Sequence, residues 1–497
     1  MLAEAELTAD QQRAAAAFLD WLAEPVDGTP FVLSGYAGTG KTFLSMRLLA
    51  AAEVAGLCWT VVAPTHKAVG VLRHNLALVG LKPTWFPSTI HRLLRLKLKR
   101  QGDLERCEET QQTAGALEHL GLVLIDEASM VDSVLLDIAL RCAHPFRTRL
   151  VFVGDPAQLP PVGEDTSPVF AMGRACTVEL RYVVRHQGPV LRLATGIREQ
   201  RLPCRKPPQL PPIRSNKGQV ALLAQPEWLA AAQDALRRSA ETDNPDLARI
   251  LCYTNRRLEQ LVPIARRALH GDMADQLPVL PGEVLISRAA VMAPACREGE
   301  DQAEEPDMVL GSNRELVVRD VTPERCDLAD FGISQADLGS ELLADAMAMP
   351  VIDTLTAQVE AGDTQLGLRL MPPVGSAGRA ALDAVLTQLR QQARSATQQG
   401  CKQEGKALWR RFFLVRDAFA SLGPAAVLTV HRAQGSTFSE VFVDADVFWP
   451  KDELLCRQLT YVAVSRASQC VTVMAGPGSR ADQQLWRDWL STDPDPA

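Results

Sequence analysis

Phe31-Val32-Leu33-Ser34-Gly35-Tyr36-Ala37-Gly38-Thr39-Gly40-Lys41-Thr42 joins an apolar run to a glycine-rich turn, and Phe43, Leu44, Met46, Leu48 and Leu49 follow at helical spacing. The turn fits G-x-x-x-x-G-K-[ST] in the context that pattern requires, after a strand and before a helix. Gly35, Gly38 and Gly40 let backbone N–H groups curl around phosphate oxygens where a Cβ would intrude. Thr39 lies within the same loop, Lys41 is placed to put its ammonium on β- and γ-phosphates, and Thr42 offers a hydroxyl to Mg2+. The N-terminus of the following helix adds its positive dipole.

Outward from that stretch the chain alternates short apolar runs with helical patterns, the signature of βαβ units and a parallel sheet. Residues 31–34, 58–63, 122–125 and 150–153 read as strands buried on both faces. Residues 250–254, 427–430, 441–443 and 471–474 read as a second such sheet, interrupted by an insertion. Leu122-Val123-Leu124-Ile125-Asp126-Glu127 is an apolar strand ending in two carboxylates, where ligands bind in open α/β sheets. Asp126 is expected to hold Mg2+, and Glu127 to orient or deprotonate the water that attacks a γ-phosphate. Hydrolysis of ATP or GTP follows from the two motifs together.

Composition sets the outer limits. The 497 residues suggest about three domains, at roughly 150 residues each. No uncharged apolar run reaches the ~18 residues of a membrane span. Met1-Leu2-Ala3-Glu4-Ala5-Glu6 is acidic where a secretory signal would be basic, and eleven cysteines occur without a CxxC pair, so reduced thiols in a cytoplasm are expected. Closely spaced His/Cys pairs of the zinc-finger kind are missing. A net charge of −7 argues against a protein that coats nucleic acid by charge alone.

Five further motifs separate the kinds of NTPase. Ala63-Pro64-Thr65-His66-Lys67-Ala68 follows the second strand, and Ser88-Thr89-Ile90-His91 comes next. Val153-Gly154-Asp155-Pro156-Ala157-Gln158-Leu159-Pro160-Pro161-Val162 closes the fourth strand. Thr429-Val430-His431-Arg432-Ala433-Gln434-Gly435-Ser436-Thr437 and Tyr461-Val462-Ala463-Val464-Ser465-Arg466-Ala467 lie near the end. In this order the residues resemble superfamily 1 DNA helicases, within the 5′→3′ branch of Dda-like and RecD-like enzymes. The resemblance spans about residues 7–255 and 425–474.

The resemblance implies two RecA-like P-loop NTPase domains, parallel sheets with helices on both faces, at residues 1–178 and at 179–271 with 422–480. The chain's own patterning sets a small insertion at about 93–118, an accessory insertion at 272–421 and a tail at 481–497. The resemblance implies that Gln11 reads adenine, with Gln12 as the neighbouring alternative, and that Gln158 senses the γ-phosphate. Arg185 and Arg466 would be arginine fingers, with Gly435 at the nucleotide. Pro64, Thr65, His66, Thr89 and His91 would contact single-stranded DNA from the first domain, and Thr429, His431, Gln434 and Ser436 from the second. The expected activity is ATP-dependent 5′→3′ translocation on single-stranded DNA with unwinding of duplex at forks, by a monomer using ATP and Mg2+. Single-strand-binding, replication or repair proteins are the expected protein partners, and a membrane is not. Two rivals stay open: a RecD-like motor subunit of a recombination complex, and an ATP-gated protein that grips single strands without unwinding.

The insertions are less legible. Arg95, Lys97, Lys99 and Arg100 alternate with leucines before Gly102-Asp103, a hairpin pattern with a basic face. Within the large insertion, the SH3-like barrel of Dda-like enzymes finds only two convincing strands, at 287–292 and 315–319. A helical stretch follows at 382–418. Glu298, Glu300, Asp301, Glu304, Glu305 and Asp307 form an acidic segment without apolar period. The proline-rich stretch 202–212 reads as a surface connection.

Overall fold

The run that opens the phosphate motif forms the strand Phe31–Gly35, with all five residues buried. A computed structural model describes residues 7–101, 104–183, 188–292, 308–331, 333, 351–362 and 364–491. Phe31–Gly35 belongs to a parallel sheet of order Ser88–Thr89, Trp59–Ala63, Leu122–Ile125, Arg149–Gly154, Phe31–Gly35, Cys176–Leu180. Successive side chains point to opposite faces. Phe31 and Leu33 therefore pack with Phe18, Leu44 and Leu72, whereas Val32 joins Ile125, Leu135 and Phe152 on the other side. Helices cover both faces, and the strands' C-terminal ends are left for the loops.

A second sheet repeats the plan in the order Val427–Thr429, Ala248–Cys252, Phe438–Val443, Ala467–Met474, Gly218–Leu223, Leu210–Ser215. Only the last strand runs antiparallel. Leu210–Ser215 falls partly within the stretch read as a connection. Pro211 and Pro212 cannot donate to a ladder, and an edge position tolerates that. Trp228 is fully buried against this sheet and donates from Nε1 to the Thr472 carbonyl at 3.1 Å. Each sheet with its helices is a RecA-like lobe. Both lie in one compact unit, Met1–Lys97, Glu109–His270 and Ala426–Ala497.

A second unit comprises Leu98–Glu108 and Gly271–Ala425. Its antiparallel sheet has five strands, Thr364–Arg369, Val351–Ala361, Glu315–Asp327, Val284–Ser287 and Leu422–Pro424. Of the two expected strands, 315–319 falls in this sheet, whereas 287–292 spans the end of Val284–Ser287 and then Val291–Met292, which pairs with Met308–Leu310 in a separate sheet. The helical stretch is two helices, Ala377–Gln398 and Lys402–Asp417, separated at Gly400 with φ +80°. Trp409, Phe412 and Phe413 cluster there, with ring centroids 5.2–6.0 Å apart. The strands Lys97–Gln101 and Leu104–Glu108 pair as a two-stranded sheet. The acidic segment, residues 298–307, lies outside the described residues.

Candidate active site

Two glycines of the phosphate loop have no room for a side chain. A Cβ on Gly35 would lie 2.7 Å from the Leu180 carbonyl oxygen. Gly40 caps the helix Lys41–Val54 at φ +77°, and a Cβ there would lie 2.7 Å from Gln11 Nε2. Gln11 is buried and donates to the Thr39 carbonyl at 3.0 Å, while its Oε1 accepts from Thr8 N in a capping box. Gln12 turns away to the Leu7 carbonyl on an exposed face. Lys41 Nζ donates to the Gly35 and Tyr36 carbonyls at 2.9 Å each. Burial pulls the Lys41 ammonium below its usual pKa, opposed by the charges of Asp155, Glu127 and Asp126. Thr42 stands beside Lys41 in the first turn, half-buried.

Asp126 and Glu127 follow the strand Leu122–Ile125 at the same edge. Burial, then the Glu127 charge, pushes the Asp126 carboxyl up to about 7. The Asp126 carboxylate and the Thr42 hydroxyl are oxygen donors of the kind a hard divalent cation takes. Glu127 sits at φ +53°, a left-handed conformation that costs a non-glycine residue on the order of 1 kcal/mol. Gly435 of the second lobe faces it, since a Cβ there would be 3.6 Å from Glu127 Oε1. Gln158 is buried, and its Oε1 has no hydrogen-bond partner among the described residues.

Arg466 is buried at the end of the helix Glu453–Ser465 and bonds Val462 O, Ser436 O and Ser465 Oγ of its own lobe. Burial lowers its pKa, and Glu127 is the largest charge opposing that shift. Arg185, the other expected finger, lies outside the described residues. A contact that sequence reading missed lies alongside: Asp155, Arg198 and Tyr461 meet at the phosphate loop. Asp155 and Tyr461 sit inside quoted motifs, but Arg198 carries no local signal. An arginine in the last turn of a helix reads as a solvated cation.

Pro64, Thr65 and His66 adjoin the end of the strand Trp59–Ala63, beside Thr89, which pairs with Ala63. Thr65 and Thr89 cap the helices that follow, accepting from Ala68 N and Arg92 N at 3.3 Å. His91 is half-buried, and desolvation lowers its pKa. On the second lobe His431 is exposed, with its ring 6.1 Å from that of Tyr253. Thr429, Gln434 and Ser436 are buried instead. Gln434 Nε2 donates across to the Leu159 carbonyl at 3.2 Å, and Ser436 Oγ has no partner among the described residues. Trp85 packs into the first-lobe core, while Phe86 is exposed under the Arg73 guanidinium, 4.3 Å from the ring centroid.

A phosphate loop on one RecA-like lobe, closed over by side chains of a second, defines a two-lobed P-loop NTPase. Comparison with known proteins narrows the class. The AAA domain model matches residues 6–202, and the UvrD-like helicase C-terminal domain model matches residues 424–474. The ATP-dependent DNA helicase dda of Enterobacteria phage T4 is 24% identical over 450 residues, covering 87% of this chain and 92% of that protein. The ATP-dependent RecD2 DNA helicase of Deinococcus radiodurans is 32% identical over 171 residues, covering 33% of this chain and 21% of that one. A crystal structure of Pif1 helicase from Candida albicans aligns over 97% of this chain and 99% of that one, at 16% identity and TM-score 0.44. By these matches the chain is similar to superfamily 1 helicases of the Dda and RecD kind.

Proposed function

We infer that this chain is an ATP-dependent DNA helicase that moves 5′→3′ along single-stranded DNA and opens duplex at forks. The observation that carries the reading is one cleft: Glu127 and the phosphate loop on one lobe face Gly435, Tyr461 and Arg466 on the other. Lys41 neutralises the β- and γ-phosphates, and Gln11 reads the adenine edge. Thr42 and Asp126 are the residues to hold Mg2+, which supplies charge neutralisation at the phosphate oxygens. Glu127 takes the proton of the attacking water, and Gln158 senses the γ-phosphate.

Arg466 and Arg185 supply positive charge to the transition state only when the lobes are closed, which makes hydrolysis report closure. Pro64, Thr65, His66, Thr89 and His91 on one lobe, and Thr429 and His431 on the other, hold the strand at matching strand ends. Short polar groups there suit phosphate contacts that ignore base sequence, as a translocating enzyme must. Gln434 and Ser436, beside Gly435, relay closure at the junction between the lobes. The test is a forked duplex carrying either a 5′ or a 3′ single-stranded tail, with ATP and Mg2+. Unwinding of the 5′-tailed fork is expected, and unwinding of the 3′-tailed fork alone would overturn the polarity.

A further inference from the structure

We propose that Arg198, with Tyr461, is a positioning residue that makes ATP turnover depend on lobe closure by holding Asp155 and the phosphate loop against the second lobe. The proposal rests on the helicase reading and deepens it at the same site. Arg198 ends the helix Pro189–Arg198, which packs on the helix Glu453–Ser465 and on the strands Gly218–Leu223 and Ala467–Met474. It is therefore a side chain of the second lobe. Its guanidinium nevertheless pairs with the fully buried Asp155, which follows the first-lobe strand Arg149–Gly154. The same guanidinium lies over the ring of Tyr36 in the phosphate loop, 3.7 Å from its centroid. Tyr36 in turn donates to the Glu199 carboxylate at 3.2 Å.

Tyr461 completes the junction from the neighbouring helix. Its hydroxyl donates to Asp155 Oδ2 at 2.8 Å, accepts from Ala37 N of the phosphate loop at 2.8 Å and accepts from Arg198 Nη1 at 3.3 Å. That hydroxyl has no bonding capacity left over. Two second-lobe side chains thus grip two first-lobe segments, the phosphate loop and the turn after Gly154. Asp155 also shapes that turn from within: its Oδ1 accepts from Ala157 N at 3.0 Å, and its carbonyl accepts from Gln158 N at 3.1 Å. The backbone of Gln158 is therefore held by a residue whose carboxylate is anchored across the cleft.

Without Arg198, the fully buried Asp155 carboxylate loses its counter-charge at the cleft. A buried ion pair adds little net stability over an apolar pair of the same shape, so its placement at the cleft favours a positioning role over a structural one.

The test uses the full chain with Arg198→Gln, Arg198→Lys, Tyr461→Phe and Arg198→Gln/Asp155→Asn, each assayed for ATPase with and without single-stranded DNA and for its melting temperature. Expected for Arg198→Gln is a tenfold or greater loss of DNA-stimulated kcat, with the change in KM for ATP held within about threefold. Arg198→Lys, which keeps the charge, and the double variant, which removes the orphaned carboxylate, should each recover part of the lost kcat. Tyr461→Phe removes one hydroxyl, keeps the ring, and should lower DNA stimulation with only a modest drop in melting temperature, from the buried partners it leaves unpaired; it carries the test if Arg198→Gln fails to fold. A stimulated wild type with both Arg198→Gln and Tyr461→Phe within twofold of it, or a change in KM alone, would overturn the proposal and leave the helicase reading intact. A wild type whose ATPase ignores single-stranded DNA would sink the helicase reading and this proposal together.

Discussion

At Gly40 the backbone and the neighbours both demand glycine, because φ is +77° and Gln11 Nε2 fills the space a Cβ would take. Gly40→Ala should therefore cost on the order of 1–2 kcal/mol in stability, measured by denaturant unfolding, and displace Gln11 from the Thr39 carbonyl. It should also raise the KM for ATP; an unchanged KM would detach Gln11 from nucleotide binding. Glu127 makes a different prediction. Loss of a general base typically costs 10²–10⁴-fold, so Glu127→Gln should reduce ATPase turnover by about that factor while nucleotide binding persists. Lys41→Ala should lose turnover as well, with weakened binding of a fluorescent nucleotide. Retained hydrolysis in either would refute the assigned site.

Individual elements were legible in proportion to how fully they are buried. Phe31–Gly35 and Leu122–Ile125 are apolar throughout because both of their faces are covered. Cys176–Leu180 and Leu210–Ser215 lie at sheet edges, half-exposed or carrying prolines, and gave no such run. The long strand Glu315–Asp327 was legible only over its first five residues. Its register against Val351–Ala361 shifts between Val318 and Asp320, and a one-residue shift reverses which side chains face inward. The alternation that betrays a strand is broken there, and Pro323 breaks it further. In the second lobe, Trp228 anchors the helix Gln225–Glu241 and meets Phe442 edge-on at 6.3 Å. Trp228→Ala should lower stability by about 3–5 kcal/mol, read as an earlier denaturant midpoint. A loss under about 1 kcal/mol would contradict that packing.

For the whole molecule, a net charge of −7 and a nucleic-acid partner are compatible if contact is confined to strand ends. Counter-ion release then involves few phosphates. Half-activation of the ATPase by single-stranded DNA should therefore rise only gently with salt, and blunt duplex should stimulate poorly in the same titration. Strong stimulation by blunt duplex would point to a binding face outside the cleft. Among the described residues no helix is long and apolar enough to cross a membrane.

The sequence by itself determined the phosphate loop, the carboxylate pair and the central strands, because each is written in contiguous residues whose chemistry follows from local spacing. Only the tertiary structure decided that Gln11 lies at the loop while Gln12 turns outward. The same is true of Gln434 reaching the Leu159 carbonyl and of Arg198 meeting Asp155 and Tyr36. Those contacts join residues from 28 to 275 positions apart. No local pattern encodes such pairings: Gln11 meets Thr39 only when the first lobe has folded, and the contacts of Gln434 and Arg198 exist only once two separately folded sheets bring their loops to one cleft.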